Sequence, residues 1–132
     1  MLKKYFIIPL LLLFLSCGSS EKNQYFEKVM EIHDDVMPKT SEIAKLSRYF
    51  EEFKRNKEID SIQLNLADKM INQLEEAHES MMVWMNDFNV PDEKNKVIEY
   101  LMAEETKIKA VKSEMLQAIS DAETLRNNLN AE

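Results

Sequence analysis

Residues 97–129 read VIEYLMAEETKIKAVKSEMLQAISDAETLRNNL, a stretch whose apolar side chains recur at intervals of three and four residues. This spacing is typical of an amphipathic helix that buries one stripe. We predict one helix over about residues 93–129. Its apolar positions are Val97, Leu101, Ile108, Val111, Met115, Ala118, Ala122, Leu125 and Leu129.

Two segments upstream have the same kind of spacing, over about residues 23–55 and 59–88. Pro38 interrupts the first, because proline lacks an N–H and clashes with the preceding turn. We expect a kinked helix there, with two helices meeting at residues 37–39 as the alternative. The two segments carry these apolar-stripe residues: Phe26, Val29, Met30, His33, Val36, Met37, Ile43, Phe50 and Phe53, then Leu66, Met70, Leu74, Ala77, Met81, Trp84 and Phe88.

The connections between the three segments are short, so neighbouring helices should run antiparallel. The sequence therefore predicts an all-α fold, an elongated antiparallel three-helix bundle over residues 23–132. The chain has a single glycine, Gly18. Glycine-rich phosphate loops and dinucleotide fingerprints are thereby excluded, and we expect no enzyme of those classes.

The N-terminus has the layout of a lipoprotein signal peptide over residues 1–16. Lys3 and Lys4 precede an apolar run over residues 5–15, which is too short to span a bilayer. Ser16 then precedes Cys17, the only cysteine, which we expect to be acylated and to become the mature N-terminus. Residues 17–22 would form the lipidated cysteine and its tether, so the chain would reach the membrane through a lipid anchor.

Gly18 follows the cysteine, where an aspartate would favour the inner membrane. We therefore expect an outer-membrane lipoprotein that faces the periplasm. Without Lys3 and Lys4 the chain has 15 basic and 24 acidic side chains, a net charge of −9. Such an acidic body repels nucleic acid, which we exclude as a partner.

The two histidines have similar surroundings, since each has a methionine four residues later. If the first hairpin turns near residues 56–59, His33 lies level with Met82 and Met37 lies level with His78. The apolar stripe of the third segment fails at nearly the same level. We predict a polar layer there, with an acid of that segment beside both histidines. The acid is Glu104 or Glu105.

Three interpretations of this layer stay open. The layer could be a structural hydrogen-bonded set that fixes the register of the bundle. The histidines could instead lie at the solvent edge. In the third interpretation these side chains bind a metal, because histidine with carboxylate suits zinc or iron and added thioethers suit copper. The six candidate ligands are His33, His78, Met37, Met82, Glu104 and Glu105. A further hypothesis is an exposed interaction face made of Met81, Trp84, Met85 and Phe88.

Three strings carry a resemblance to a known family: HDDVMPK at residues 33–39, MMVWMNDF at 81–88 and YLMAEETKIKAV at 100–111. The chain resembles small uncharacterised lipoproteins of Bacteroidetes-type bacteria, some labelled "viral A-type inclusion protein". The resemblance implies an envelope lipoprotein and assigns no catalytic residue. We thus expect a helical binding or structural module without catalytic activity, with an envelope partner or self-association through the third helix. The alternative is a periplasmic copper- or zinc-binding protein.

Overall fold

The computed structural model describes residues 20–131, and within that range the chain folds into helices joined by short connections. There are four: α1 (Glu21–Val36), α2 (Lys39–Phe53), α3 (Ser61–Asp87) and α4 (Lys94–Ala131). The all-α prediction is confirmed for this part of the chain. The predicted signal peptide, Cys17 and Gly18 lie outside the described residues.

The first predicted segment is divided at Met37 and Pro38, which separate α1 from α2. Both residues keep right-handed helical dihedral angles, with φ −53° and ψ −41° at Met37 and φ −60° and ψ −22° at Pro38. The Met37 amide still donates to the carbonyl of His33 at 2.8 Å. Pro38 has no N–H to give to the carbonyl of Asp34, so the hydrogen-bond ladder stops. The structure thus has the alternative, two helices that meet at the proline.

Helices α3 and α4 begin at Ser61 and Lys94, within two residues of the starts predicted from the sequence. At α3 the Asp60 carboxylate accepts from the Gln63 N–H at 2.8 Å, while the Gln63 side chain accepts from the Asp60 N–H at 3.2 Å. This reciprocal capping box satisfies two amides that the helix itself leaves without partners. At the N-terminal end of the described residues, α1 begins at Glu21. The last two residues of the expected tether, 21 and 22, are therefore helical.

Hydrogen bonds between α3 and α4 show that these helices are antiparallel. The Gln73 amide donates to Asp121 at 2.7 Å, and the Ser80 hydroxyl donates to Glu114 at 3.1 Å. Moving seven residues forward along α3 therefore moves the partner seven residues back along α4. The contacts of α1 and α2 with α4 give their direction. Lys112 of α4 pairs with Asp35 of α1, and the Tyr49 hydroxyl of α2 donates to Asn130 of α4. α1 and α2 thus run parallel to α4.

The core lies along the predicted stripes. Met115, Leu74 and Ile108 have no exposed surface, as the periodicity predicted. Two expected core residues are largely exposed instead: Phe26 by 39% and Leu66 by 41%. Four buried residues were not expected, because they flank a stripe and are covered by the neighbouring helix. They are Leu46, Ala67, Ile71 and Ile119. No helix within residues 20–131 combines the length and apolarity that crossing a bilayer requires.

Candidate functional site

Glu104 occupies the apolar stripe of α4, at the layer where the heptad spacing fails. Only 4% of the residue is exposed, and its carboxylate accepts from the Lys107 ammonium at 2.7 Å. That hydrogen bond and the accompanying charge attraction raise the pKa of Lys107. Glu105 is less buried and pairs with Lys109 at 2.5 Å, which lowers the pKa of Glu105. Of the two predicted acids, Glu104 therefore takes the core position.

His33 packs against Trp84 instead of facing the other histidine. The ring centroids are 5.8 Å apart with 33° between the planes, and His33 Nδ1 lies 2.9 Å from the Asp34 carboxylate. Trp84 in turn contacts Phe88 at 5.0 Å between centroids. These rings belong to a set that we call the aromatic cluster: Phe26, His33, Trp84, Phe88 and Tyr100.

The aromatic cluster explains how α1 relates to the rest of the bundle. α1 packs closely on α4 and makes few close backbone approaches to α3, whereas α2 packs on both α3 and α4. Large rings fill the space between α1 and α3, because aromatic pairs prefer centroid separations of about 4.5–7 Å. The contact with Trp84 thus fixes the position of His33 along the axis of the bundle. Trp84 lies six residues, or about 9 Å, beyond His78 along α3.

Among the six predicted metal ligands, the histidines and glutamates do not form a metal-binding group of three or more. Residues 20–131 contain no group of three or more histidine, cysteine, aspartate and glutamate side chains placed to hold a metal ion. Met37 and Met82 are partly buried and pack on the apolar core. The predicted layer assumed two straight helices facing each other. The side chain of His33 instead meets an indole, and His78 lines a groove further along.

The predicted interaction face also needs correction. Met81 is fully buried and Trp84 is 6% exposed, so both are core residues. Phe88 belongs to the aromatic cluster, and only Met85, at 41%, is substantially exposed. The indole N–H of Trp84 is buried without a hydrogen-bond partner. These four residues therefore do not form a continuous exposed surface.

A groove of about 790 Å³ lies between α2 and α3. We call it the α2–α3 groove. It is open along one side, as a binding surface for a macromolecule is, and it is not an enclosed cavity. It is lined by Ile43, Ala44, Ser47, Glu75, Glu76, His78, Glu79, Ser80 and Val83. Of these residues the sequence had singled out only His78 as a candidate site residue.

The rim of the α2–α3 groove is acidic. Glu76 and Glu79 form no hydrogen bond or ion pair with another described residue. Glu75 has only a weak charge interaction with Lys54, whose raised pKa comes mainly from its hydrogen bond to Asp68. Glu75 and Glu79 are four residues apart on one helix, so their like charges repel. The groove thus has negative charge that residues 20–131 leave largely uncompensated.

Comparisons with protein-family models, with curated proteins and with solved structures give no match for this chain. The resemblance to small Bacteroidetes-type lipoproteins therefore stays a prediction from the sequence.

Proposed function

We propose that this protein is a lipid-anchored helical binding module of the cell envelope, without catalytic activity, on an outer membrane and facing the periplasm. The α2–α3 groove is the observation that carries the binding part of this proposal. Apolar surface exposed in a concave site, rimmed by polar groups, is characteristic of a place where a partner docks. The anchoring part depends on the signal-peptide layout and on Cys17.

The two helices that follow the proposed anchor, α1 and α2, are arranged so that a partner can reach the groove. Three residues, Gly18 to Ser20, separate Cys17 from the start of α1 and span at most about 10 Å. Ala44 comes 23 residues after Glu21, which corresponds to about 35 Å along helices of 1.5 Å rise. We infer that α1 and α2 meet at an angle at Pro38, because α1 packs mainly on α4 whereas α2 also packs on α3. The groove would then stand well clear of the membrane.

Three side chains that could do chemistry have other engagements, whereas His78 lines the α2–α3 groove. His33 stacks on an indole, and Glu104 is paired with Lys107. Cys17 would be consumed by the lipid. These engagements support a binding module over an enzyme. The copper or zinc hypothesis has no comparable geometric support, because residues 20–131 contain no group of three or more histidine, cysteine, aspartate and glutamate side chains that could hold a metal ion.

The anchoring part is tested with the full chain expressed in bacteria, comparing wild type, Cys17→Ser and the control Ser19→Ala. We expect wild type and Ser19→Ala to sediment with membranes and to incorporate labelled palmitate. Cys17→Ser should lose the label. Retention of the label in Cys17→Ser would contradict acylation at this residue.

The binding part is tested in the same envelopes with a photo-crosslinking amino acid at position 83, in the groove, or at position 116, which is exposed on α4. We expect a discrete cross-linked species from position 83 and none from position 116. Ala44→Trp, which fills the groove, should abolish it. A product with the mass of two chains would favour self-association, the alternative partner. Equal products from both positions, or none from position 83, would contradict the proposal.

A further inference from the structure

The α2–α3 groove combines two kinds of surface that together define the chemistry of an occupant. We propose that it binds a cationic amphipathic helical segment of a partner protein, whose aliphatic side chains cover Ala44 and Val83 while its Lys or Arg side chains pair with Glu75, Glu76 and Glu79. This inference rests on the proposed binding function and names the class of its partner.

The floor of the groove provides the apolar contact. Ile43 is 3% exposed at the base, and the small side chain of Ala44 leaves space above it. Val83 on the opposite wall is 47% exposed, although it adjoins the buried Trp84. An aliphatic side chain placed here would remove the exposed surface of Ala44 and Val83 from water.

The rim provides the charge selectivity. Acids nearby on the same two helices already have partners: Glu42 pairs with Lys39 at 2.9 Å, and Asp68 pairs with Lys54 at 2.6 Å. Glu76 and Glu79 have no such cation among the described residues. A Lys or Arg of a partner would relieve the repulsion between the groove acids, and complementary charge would also speed association.

The dimensions fit a short helix. Glu75 and Val83 are eight residues apart on α3, a distance of about 12 Å along its axis, or slightly more than two helical turns. Helices that dock in grooves present side chains at i, i+3 or i+4, and i+7, which cover a comparable length. A segment of two to four turns can therefore reach both the floor and the acidic rim.

A second copy of this chain is a poorer occupant than a basic partner. The chain has a net charge of −7, so two copies repel each other. The lysines on the outer part of α4 are already engaged, since Lys109 pairs with Glu105 and Lys112 pairs with Asp35. A small polyamine would satisfy the acids but leave the apolar floor uncovered.

The test uses the full chain in zwitterionic nanodiscs, with empty nanodiscs as the blank. The probe is a fluorescein-labelled 15-residue amphipathic helix with leucine on one face and lysine beside it. Two matched peptides replace every lysine by glutamate, or every leucine by serine. Fluorescence anisotropy measures the Kd of each peptide. We expect the leucine–lysine peptide to bind and both matched peptides to bind at least about tenfold more weakly.

A pair of triple variants locates the charge effect. Glu75→Gln/Glu76→Gln/Glu79→Gln should weaken binding of the leucine–lysine peptide about tenfold, since each exposed pair contributes modestly. The control Glu27→Gln/Glu31→Gln/Glu58→Gln removes the same charge away from the groove, and it should change the Kd less than about twofold. Raising the salt concentration should reduce the difference between the two variants.

Other outcomes separate this inference from the broader proposal. If the glutamate peptide binds as tightly as the lysine peptide and Ala44→Trp abolishes both, the groove is a docking site and only the charge assignment is wrong. The proposal of an amphipathic partner is wrong if the serine peptide binds as tightly as the leucine–lysine peptide. It is also wrong if spermidine at matched charge fully displaces the leucine–lysine peptide. If Ala44→Trp leaves the binding of every peptide unchanged, the proposed function of the groove fails as well.

Discussion

The imidazole of His33 lies on the indole of Trp84, with 5.8 Å between the ring centroids. This contact joins α1 to α3 at a place where their backbones make few close approaches. It also assigns His33 to the packing of the aromatic cluster and not to a layer with His78. Because Trp84 is the only tryptophan in the chain, tryptophan fluorescence reports on the surroundings of this one indole.

Removing the His33 ring should loosen this end of the bundle. We expect His33→Ala to shift Trp84 emission to longer wavelength, because water gains access to the indole. It should also lower the free energy of unfolding by about 0.5–1.5 kcal/mol, the usual contribution of an aromatic pair. Urea denaturation followed by fluorescence and by circular dichroism measures both effects. His78→Ala, the control, should leave the emission maximum unchanged.

Adjacent residues on α4 should differ sharply in their contribution to stability. Met115 is fully buried, whereas Leu116 is 40% exposed. We expect Met115→Ala to lower the free energy of unfolding by about 2–5 kcal/mol, because it leaves a cavity in the core. Leu116→Ala should cost less than about 1 kcal/mol. Equal losses in the two variants, measured by urea denaturation, would show that the assigned face of α4 is wrong.

The ion pair between α1 and α4 should make stability depend on pH. The hydrogen bond from Lys112, with its positive charge, lowers the pKa of Asp35 below the usual value of 3.8. A carboxyl group whose pKa is lowered by folding stabilises the protein above its unfolded pKa, and that stabilisation is lost as the pH falls through the folded pKa. We therefore expect Asp35→Asn to be less stable than wild type at pH 6.

The gap between Asp35→Asn and wild type should narrow as the pH falls below about 4, where the unfolded carboxyl group takes up its proton. Denaturation midpoints at a series of pH values give the gap. Glu31→Gln, an exposed acid on the same helix without an ion pair, is the control and should show no such trend. A gap that widens on acidification would contradict the assigned direction of the Asp35 pKa shift.

The buried carboxylate of Glu104 should be a cost to stability. It takes a core position between Leu101 and Ile108, and its one cation, Lys107, is mostly exposed. Replacing a buried charge by an apolar side chain of similar volume is often stabilising. We expect Glu104→Leu to raise the free energy of unfolding by about 1 kcal/mol. Glu105→Leu, the neighbouring control, should change it by less than about 0.5 kcal/mol.

Metal analysis tests the hypothesis that the histidines are ligands. After incubation with Zn²⁺ or Cu(I) and desalting, we expect the full chain to retain less than one metal ion per chain, because residues 20–131 offer no suitable group of ligands. Elemental analysis by mass spectrometry measures retention. One metal per chain, lost in both His33→Ala and His78→Ala, would restore the metal hypothesis.

Much of the fold could be predicted because it depends on local periodicity. Leu101, Ile108 and Met115 lie on one face of any helix through residues 97–129, whatever packs against it. The same argument placed an acid, Glu104 or Glu105, at this layer, and the structure shows that Glu104 is the buried one. The level of His33 against α3 could not be predicted in this way, because it depends on the size of Trp84 and on how far the rings hold α1 from α3.

The amino-acid sequence alone determined that the chain is helical, where its apolar stripes lie, and that an acid interrupts the stripe of α4. These properties follow from side-chain spacing along a helix of fixed geometry. Only the tertiary structure decided that His33 meets Trp84 and that Ile43 and Val83 line one groove together with Glu75 and Glu79. The physical reason is that packing between helices depends on the shapes of residues far apart in sequence, which periodicity does not contain.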